Sequence, residues 1–381
     1  MQKTKIFSVG LAIFAMLFGA GNVVFPLALG REVGDQVGFA LLGLCITAVL
    51  VPLLGLVSSM LFDGDYRTFL GTMGTIPAAI VSFICMILIG PFGATPRCVT
   101  LSYAALKWHV PQLSLFVFSL IAAIIIFAAT IKKSFVVDLL GRFLGPLKLI
   151  LLLSVIIIGV FSPARPAFAD LSSWDSFLQG FKEGYWTMDL LGTIFFSSLI
   201  ISSIKLHKPE GTSREIALLG LKAGIIGSLI LGFVYAGFCL VAAMHGKAIM
   251  DVGKDQILSA LATYILGSKA GVLANITVAM ACLTTAIALT AVFAEYLRRE
   301  IFRSHIPYRF ALAITVVAVF AMSNLGFSGI ARVIEPIVVL FYPALIVLSL
   351  ANIAYKLWGF KYIKTVTFGA FAATLVMQYC V

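Results

Sequence analysis

Few side chains in this sequence can do chemistry inside its long apolar runs, and those few are of complementary kinds. They are Asn22 in Phe18-Gly19-Ala20-Gly21-Asn22-Val23-Val24-Phe25-Pro26 and Arg97 in Gly90-Pro91-Phe92-Gly93-Ala94-Thr95-Pro96-Arg97. Asp189 stands in Gly184-Tyr185-Trp186-Thr187-Met188-Asp189-Leu190-Leu191-Gly192-Thr193, and Thr284 and Thr285 stand in Leu283-Thr284-Thr285-Ala286-Ile287-Ala288-Leu289-Thr290. The first stretch is poor helix material, since Gly is about 1 kcal/mol and Pro about 3 kcal/mol less favourable than Ala. A backbone broken there frees amides for an anion and carbonyls for a cation. The alternative is a packing kink whose glycines admit a close neighbour. The paired threonines either bond back to their own helix or act as hard oxygen donors for an alkali cation. An arginine in mid-span costs about 2.5–3.5 kcal/mol on insertion scales and calls for an interior partner. Asp189 can meet a solute ammonium, pair with Arg97, or carry a proton.

The elements that position these groups follow from composition. At 381 residues, 61% hydrophobic and 11% charged, with repeated runs near twenty apolar residues, the chain has the make-up of a polytopic membrane protein. Eleven apolar segments are expected, near 6–29, 37–61, 76–103, 112–131, 142–161, 181–204, 218–244, 269–295, 308–323, 332–352 and 362–380. The net charge of +11 does not call for nucleic acid, because placing the ends and loops on alternating sides sorts it. Lys3, Lys5, Arg67, Lys132, Lys133, Arg142, Lys205, Lys208, Arg214, Arg298, Arg299, Arg303, Arg309, Lys356, Lys361 and Lys364 fall on one side. The other side receives Arg31, Lys107, Arg165, Lys182, Lys247, Lys254, Lys269 and Arg332. The basic side is read as cytoplasmic, which puts the N-terminus inside. The first run is too long for a signal-peptide core and lacks a small-residue cleavage site, so it is expected to stay in the mature chain.

Interrupted segments one and six lie five apart, as two five-helix repeats would place them. Five is odd, so such repeats would be inverted relative to the membrane plane. The expected organisation is a first repeat over 1–161, an extracytoplasmic connecting loop over 162–176, a second repeat over 177–352 and an additional C-terminal helix over 353–381. Segment ten is expected to open at Arg332, Glu335 and Pro336 as a helix terminus or gate pair. The cysteines (Cys45, Cys85, Cys98, Cys239, Cys282 and Cys380) lack paired or metal-ligand spacing and read as packing residues. His109, His207, His245 and His305 fall near segment ends, and neither HExxH nor GxSxG occurs, which speaks against an intramembrane enzyme.

The runs FGAGNVVFP, GPFGATPR, GYWTMDLLG and LTTAIALT together resemble the branched-chain amino acid:cation symporter family (LIVCS) of the amino acid–polyamine–cation superfamily. The resemblance implies an all-α polytopic membrane protein with a leucine-transporter-like 5+5 inverted repeat and broken helices 1 and 6. It implies import of leucine, isoleucine and valine, with methionine as a further competitor, coupled to a cation that is usually sodium, across a bacterial-type cytoplasmic membrane. The substrate would then meet Ala20, Gly21, Asn22, Thr187, Met188, Asp189 and Gly192. Sodium would sit between the carbonyls of Ala15 and Phe18 and the hydroxyls of Thr284 and Thr285. Apart from the resemblance, Arg97 and Asp189 are read from the residues as a gate or ion pair, one of the alternatives open to Asp189. No cofactor is implied beyond the co-transported cation, and a proton-coupled carrier of other neutral amino acids using Asp189 is the alternative.

The chain departs from the family pattern in three places. Segment seven has no Asn, which leaves a second sodium site incomplete. Ser102-Tyr103-Ala104 stands where an acid often follows the Thr-Pro-Arg motif. Eleven helices are expected here rather than the family's usual twelve.

Overall fold

Glycine and proline decide where this chain's helices stop. A computed structural model of the protein describes residues 3–131, 149–207 and 213–380. The expected basic positions Lys132, Lys133, Arg142 and Lys208, and the start of the fifth segment, lie outside the described residues. The first segment divides into α1 (Lys3–Leu17) and α2 (Gly21–Val33). At about 1.5 Å per residue, neither half crosses a hydrocarbon layer about 30 Å thick alone, whereas the two end to end can. Gly34, at φ 48°, then turns the chain where an added Cβ would also strike the Ala167 carbonyl, so only glycine fits.

The second segment is α3 (Val37–Cys45) and α4 (Val51–Met60), joined by a widened π turn at Ile46–Leu50 just ahead of Pro52. Asp65 caps the short α5 (Tyr66–Gly71) by accepting the Arg67 N–H at 3.0 Å. The third segment is also broken, into α6 (Thr75–Ile89) and α7 (Ala94–Lys107), at the Gly90-Pro91-Phe92-Gly93 stretch. α8 (Leu115–Ile131) and α9 (Leu149–Phe161) complete the first half.

The connecting loop ends earlier than expected, because Ser172 caps α10 (Ser173–Tyr185) by accepting the Asp175 N–H at 3.1 Å. α10 meets α11 (Asp189–His207) across a bend of 40°. α12 (Ser213–Met244) follows, then α13 (Ile257–Tyr296), which is interrupted at Gly267 with φ 78°. α14 (Tyr308–Ser323), α15 (Gly326–Trp358) and α16 (Ile363–Cys380) end the chain. Segment ten therefore does not open at Arg332: α15 starts a turn and a half earlier, and Arg332, Glu335 and Pro336 are exposed residues within it. Positive φ at Gly326 sets the true start, a signal that the polar character of Arg332 and Glu335 obscures.

Inside the bundle, α2 buries eleven of its thirteen residues and is apolar all round, as a central helix must be. α12 lies so close to it that an added Cβ on Gly30 would overlap the Cys239 carbonyl. Gly43 and Gly180 similarly let α3 and α10 meet backbone to backbone, and Gly184 admits the Thr47 side chain of the π turn. On the outside, α8 presents Leu120, Ile121, Ile124 and Ile125. Such a surface is stable against hydrocarbon and unstable against water.

Candidate functional site

The breaks in the first and sixth segments face each other. Gly19 turns its N–H onto its neighbour Asn22, whose Oδ1 accepts it at 2.8 Å. In an uninterrupted helix that N–H would go to the Ala15 carbonyl. The Asn22 Nδ2 donates to Asp189 Oδ1 and Oδ2 at 2.7 and 2.8 Å, and also to the Tyr235 hydroxyl. Tyr235 in turn donates to Asp189 Oδ2 at 2.7 Å. All three side chains are at most 3% exposed. α2, α11 and α12 are thus joined by a closed polar cluster, and burial makes each bond in it costly to lose.

The sixth-segment break spans Trp186, Thr187 and Met188. Thr187 returns its hydroxyl to the Gly184 carbonyl at 2.9 Å, and Met188 sits at φ 57°, in the left-handed region that non-glycine residues rarely adopt. Strain of this kind persists only where surrounding structure over-determines the backbone. Between the two breaks lies a cavity of about 60 Å³. Ala20, Gly21, Asn22, Thr187, Met188, Asp189 and Gly192 all line it, as do Arg97 and Thr285. Met16, Leu17, Ile89, Phe196 and Leu289 supply the apolar wall.

The expected cation donors are less fully gathered. Thr284 and Thr285 both donate to the Ala281 carbonyl, at 2.7 and 3.1 Å, which leaves their oxygen lone pairs able to face a cation. Only Thr285 reaches the cavity wall; Ala15 and Thr284 stand outside it, and Phe18 packs its ring on Phe14 and Phe238. Among the described residues, no group of three or more His, Cys, Asp or Glu side chains is placed to hold a metal ion.

The expected Arg97–Asp189 ion pair is not formed. Asp189 is held by Asn22 and Tyr235, while Arg97 donates its Nη1 to the Trp186 carbonyl at 2.9 Å. The guanidinium is 1% exposed and lies 5.1, 5.8 and 5.9 Å from the ring centroids of Phe25, Phe327 and Trp186. A carbonyl and three ring faces take the place of the carboxylate. Tyr235 and this aromatic cage escaped the reading from sequence, because aromatic residues in apolar runs carry no mark that separates packing from polar contact. Ser102 and Tyr103, where an acid was missing, bond instead to the carbonyls of Ala279 and Leu113, both at 2.9 Å.

The model of the branched-chain amino acid transport protein family matches residues 2–379 of this chain. The chain belongs to that family. This family member is 31% identical to the branched-chain amino acid permease BraB of Bacillus subtilis, over 92% of its own length and 80% of the relative's. It is also 31% identical to the branched-chain amino acid transport system 3 carrier protein of Pseudomonas aeruginosa, over 94% of its length and 82% of that protein's. Its fold is similar to that of Mhp1 in the inward facing conformation, with a TM-score of 0.68 at 12% identity, covering 92% of this chain and 77% of the other. The family member is thus an all-helical, multi-pass membrane protein with a leucine-transporter-like fold, and its family is one of transporters rather than enzymes.

Proposed function

We propose that this protein imports leucine, isoleucine and valine by sodium symport through alternating access, across a bacterial-type cytoplasmic membrane with its N-terminus inside. The observation that carries this reading is the pair of broken helices facing one small cavity, with charged and hydroxyl side chains at its polar end and aliphatic ones around the rest. The amides of Ala20, Gly21 and Asn22 open α2 toward the cavity and suit the substrate carboxylate. Thr187, Met188, Asp189 and Gly192 form the facing wall. The Gly19 N–H is turned away from the Ala15 carbonyl, so that carbonyl is available with Phe18 and the threonine hydroxyls as a sodium shell. Residues 1–161 and 177–352 act as the two inverted repeats, and 353–381 is an addition outside them.

One sodium suffices energetically. One charge moving through 100 mV supplies about 2.3 kcal/mol, and a tenfold gradient supplies about 1.4 kcal/mol. Together they support accumulation on the order of 500-fold. An apolar wall separates substrates by only about 1–3 kcal/mol per methylene, so leucine, isoleucine, valine and methionine compete for one site. Exclusion of all but one in a competition assay contradicts this.

The deciding experiment is leucine uptake into proteoliposomes with sodium and proton gradients imposed separately, for wild type, Thr285→Ala and Asp189→Asn. Sodium-driven uptake in wild type, with at least a tenfold weaker sodium dependence in Thr285→Ala, supports the reading. Uptake driven by protons alone and abolished in Asp189→Asn replaces sodium with the buried acid as the coupling group. No uptake of any branched-chain amino acid under either gradient overturns the function.

A further inference from the structure

Arg97 carries donors that the protein leaves unused. Among the described residues, its Nε and Nη2 have no hydrogen-bond partner and no carboxylate forms an ion pair with it, although the residue is 1% exposed. Nε and Nη2 form one edge of the guanidinium, the edge whose two parallel N–H groups take a carboxylate side-on. Only Nη1 is engaged, with the Trp186 carbonyl. A Cβ on Gly21 would stand 3.2 Å from that same carbonyl oxygen. Arg97 and the first turn of α2 therefore both approach the Trp186 carbonyl, and Arg97 and Gly21 both line the cavity. Three ring faces soften the burial of the cation, yet they accept no N–H in its plane. A buried guanidinium with a free two-donor edge beside a helix N-terminus is a site for a planar anion.

We propose that Arg97 binds the α-carboxylate of the transported amino acid through its Nε–Nη2 edge, together with the N-terminal amides of α2. The inference rests on the transporter reading above and adds the group that distinguishes an amino acid from an amine of the same shape. Asp189 is not the partner of Arg97, and its two oxygens stay with Asn22 and Tyr235. The substrate carboxylate thus supplies the anion that Arg97 lacks, and the occupied site holds α2, α7 and the Trp186 turn together through one guanidinium. The Phe25, Trp186 and Phe327 rings stay packed against the same guanidinium.

The test is equilibrium binding of radiolabelled leucine to purified wild type, Arg97→Gln and Arg97→Lys, with L-leucinamide as a competitor that keeps the amine and side chain but not the carboxylate. Wild type is expected to bind leucinamide at least 30-fold more weakly than leucine. Arg97→Gln is expected to lose 10- to 100-fold in leucine affinity while leucinamide changes less than threefold, so the preference collapses. Arg97→Lys, a point charge without the fork, should fall between. A folded Arg97→Gln, judged by its unliganded melting temperature, that keeps the wild-type preference overturns the proposal. If neither variant folds, wild type decides: equal affinity for leucine and leucinamide overturns it. Repeating the assay in chloride and gluconate separates the two sources of anion. A chloride requirement that Arg97→Gln removes, with the leucine preference intact, assigns the edge to an inorganic ion and overturns the proposal. Failure of wild type to bind leucine, isoleucine or valine defeats the transporter reading itself, and is distinguishable because no preference is then measured.

Discussion

Tyr235 holds two buried polar groups at once, donating to Asp189 and accepting from Asn22. Replacing it with Phe removes a donor from a buried carboxylate and orphans one amide hydrogen. Tyr235→Phe should therefore lower stability by about 1–3 kcal/mol, read as a drop in the detergent melting temperature. A melting temperature equal to wild type would show that water substitutes for the hydroxyl. Met188 makes a second demand at this scale. Its φ of 57° tolerates an unbranched side chain poorly and a β-branched one worse. Met188→Ile should lose leucine binding at least tenfold, whereas Met188→Leu, of the same volume, should lose less, and equal losses would rule out β-branching as the cause. Asn22 and Asp189 were legible from sequence because polar groups are expensive within apolar runs. Their mutual contact was not, since it joins residues 167 apart, and neither side chain's type names the other as partner.

At the level of elements, α3 and α10 touch through glycine. A Cβ on Gly180 would overlap the Ala40 carbonyl, and one on Gly184 would overlap the Thr47 side chain. Gly180→Val should therefore abolish the monodisperse peak in size-exclusion chromatography, since the clash is with backbone and cannot be relieved by a rotamer change. Gly38→Ala on the same α3 is the control: nothing lies within 4 Å of the added methyl. It should be neutral or raise stability by up to about 1 kcal/mol. A normal peak for Gly180→Val would mean that the two helices can separate without loss of the fold. The breaks at Gly19 and near Met188 were readable from composition, and so were most segment positions. The break between α6 and α7 was not read as one, because Pro91 and Pro96 also fit a merely kinked helix. The kink at Gly267 has the opposite cause: a single glycine in an apolar run leaves periodicity nearly unchanged.

The whole molecule carries a separate charge cluster at each end. Arg67 meets Glu300, with Glu295, Arg298 and Arg299 close by, at the C-terminal end of α13. On the other side Lys254 reaches Glu32 of α2 at 3.1 Å and Glu183 of α10 at 3.6 Å, and Arg31 donates to the Val252 carbonyl at 2.5 Å. This second cluster ties the loop before α13 to both broken segments. The Lys254 side chain is 39% exposed, so its worth is about 1 kcal/mol at most. Lys254→Ala should raise hydrogen exchange in residues 246–256 by up to about fivefold and leave α5 unchanged. Equal change at both ends would mean general loosening rather than release of one latch. Alternation of charge along the chain made this two-ended arrangement legible, because loops on one side must meet one another. The pairing of individual residues within each cluster is set by tertiary approach and left no trace in spacing. The Asn22 cluster, finally, has a consequence for biogenesis. Its last member is 213 residues beyond its first. At about 5–20 residues per second, Asn22 waits on the order of 10–40 s after synthesis for Tyr235 to be made. Until Asp189 emerges, 167 residues on, the Asn22 Nδ2 lacks both of these partners, while its Oδ1 can already take the Gly19 N–H. The polar cluster therefore closes only once α12 is made, and a photocrosslinker at position 22 of arrested nascent chains should label lipid or insertase until α12 has emerged.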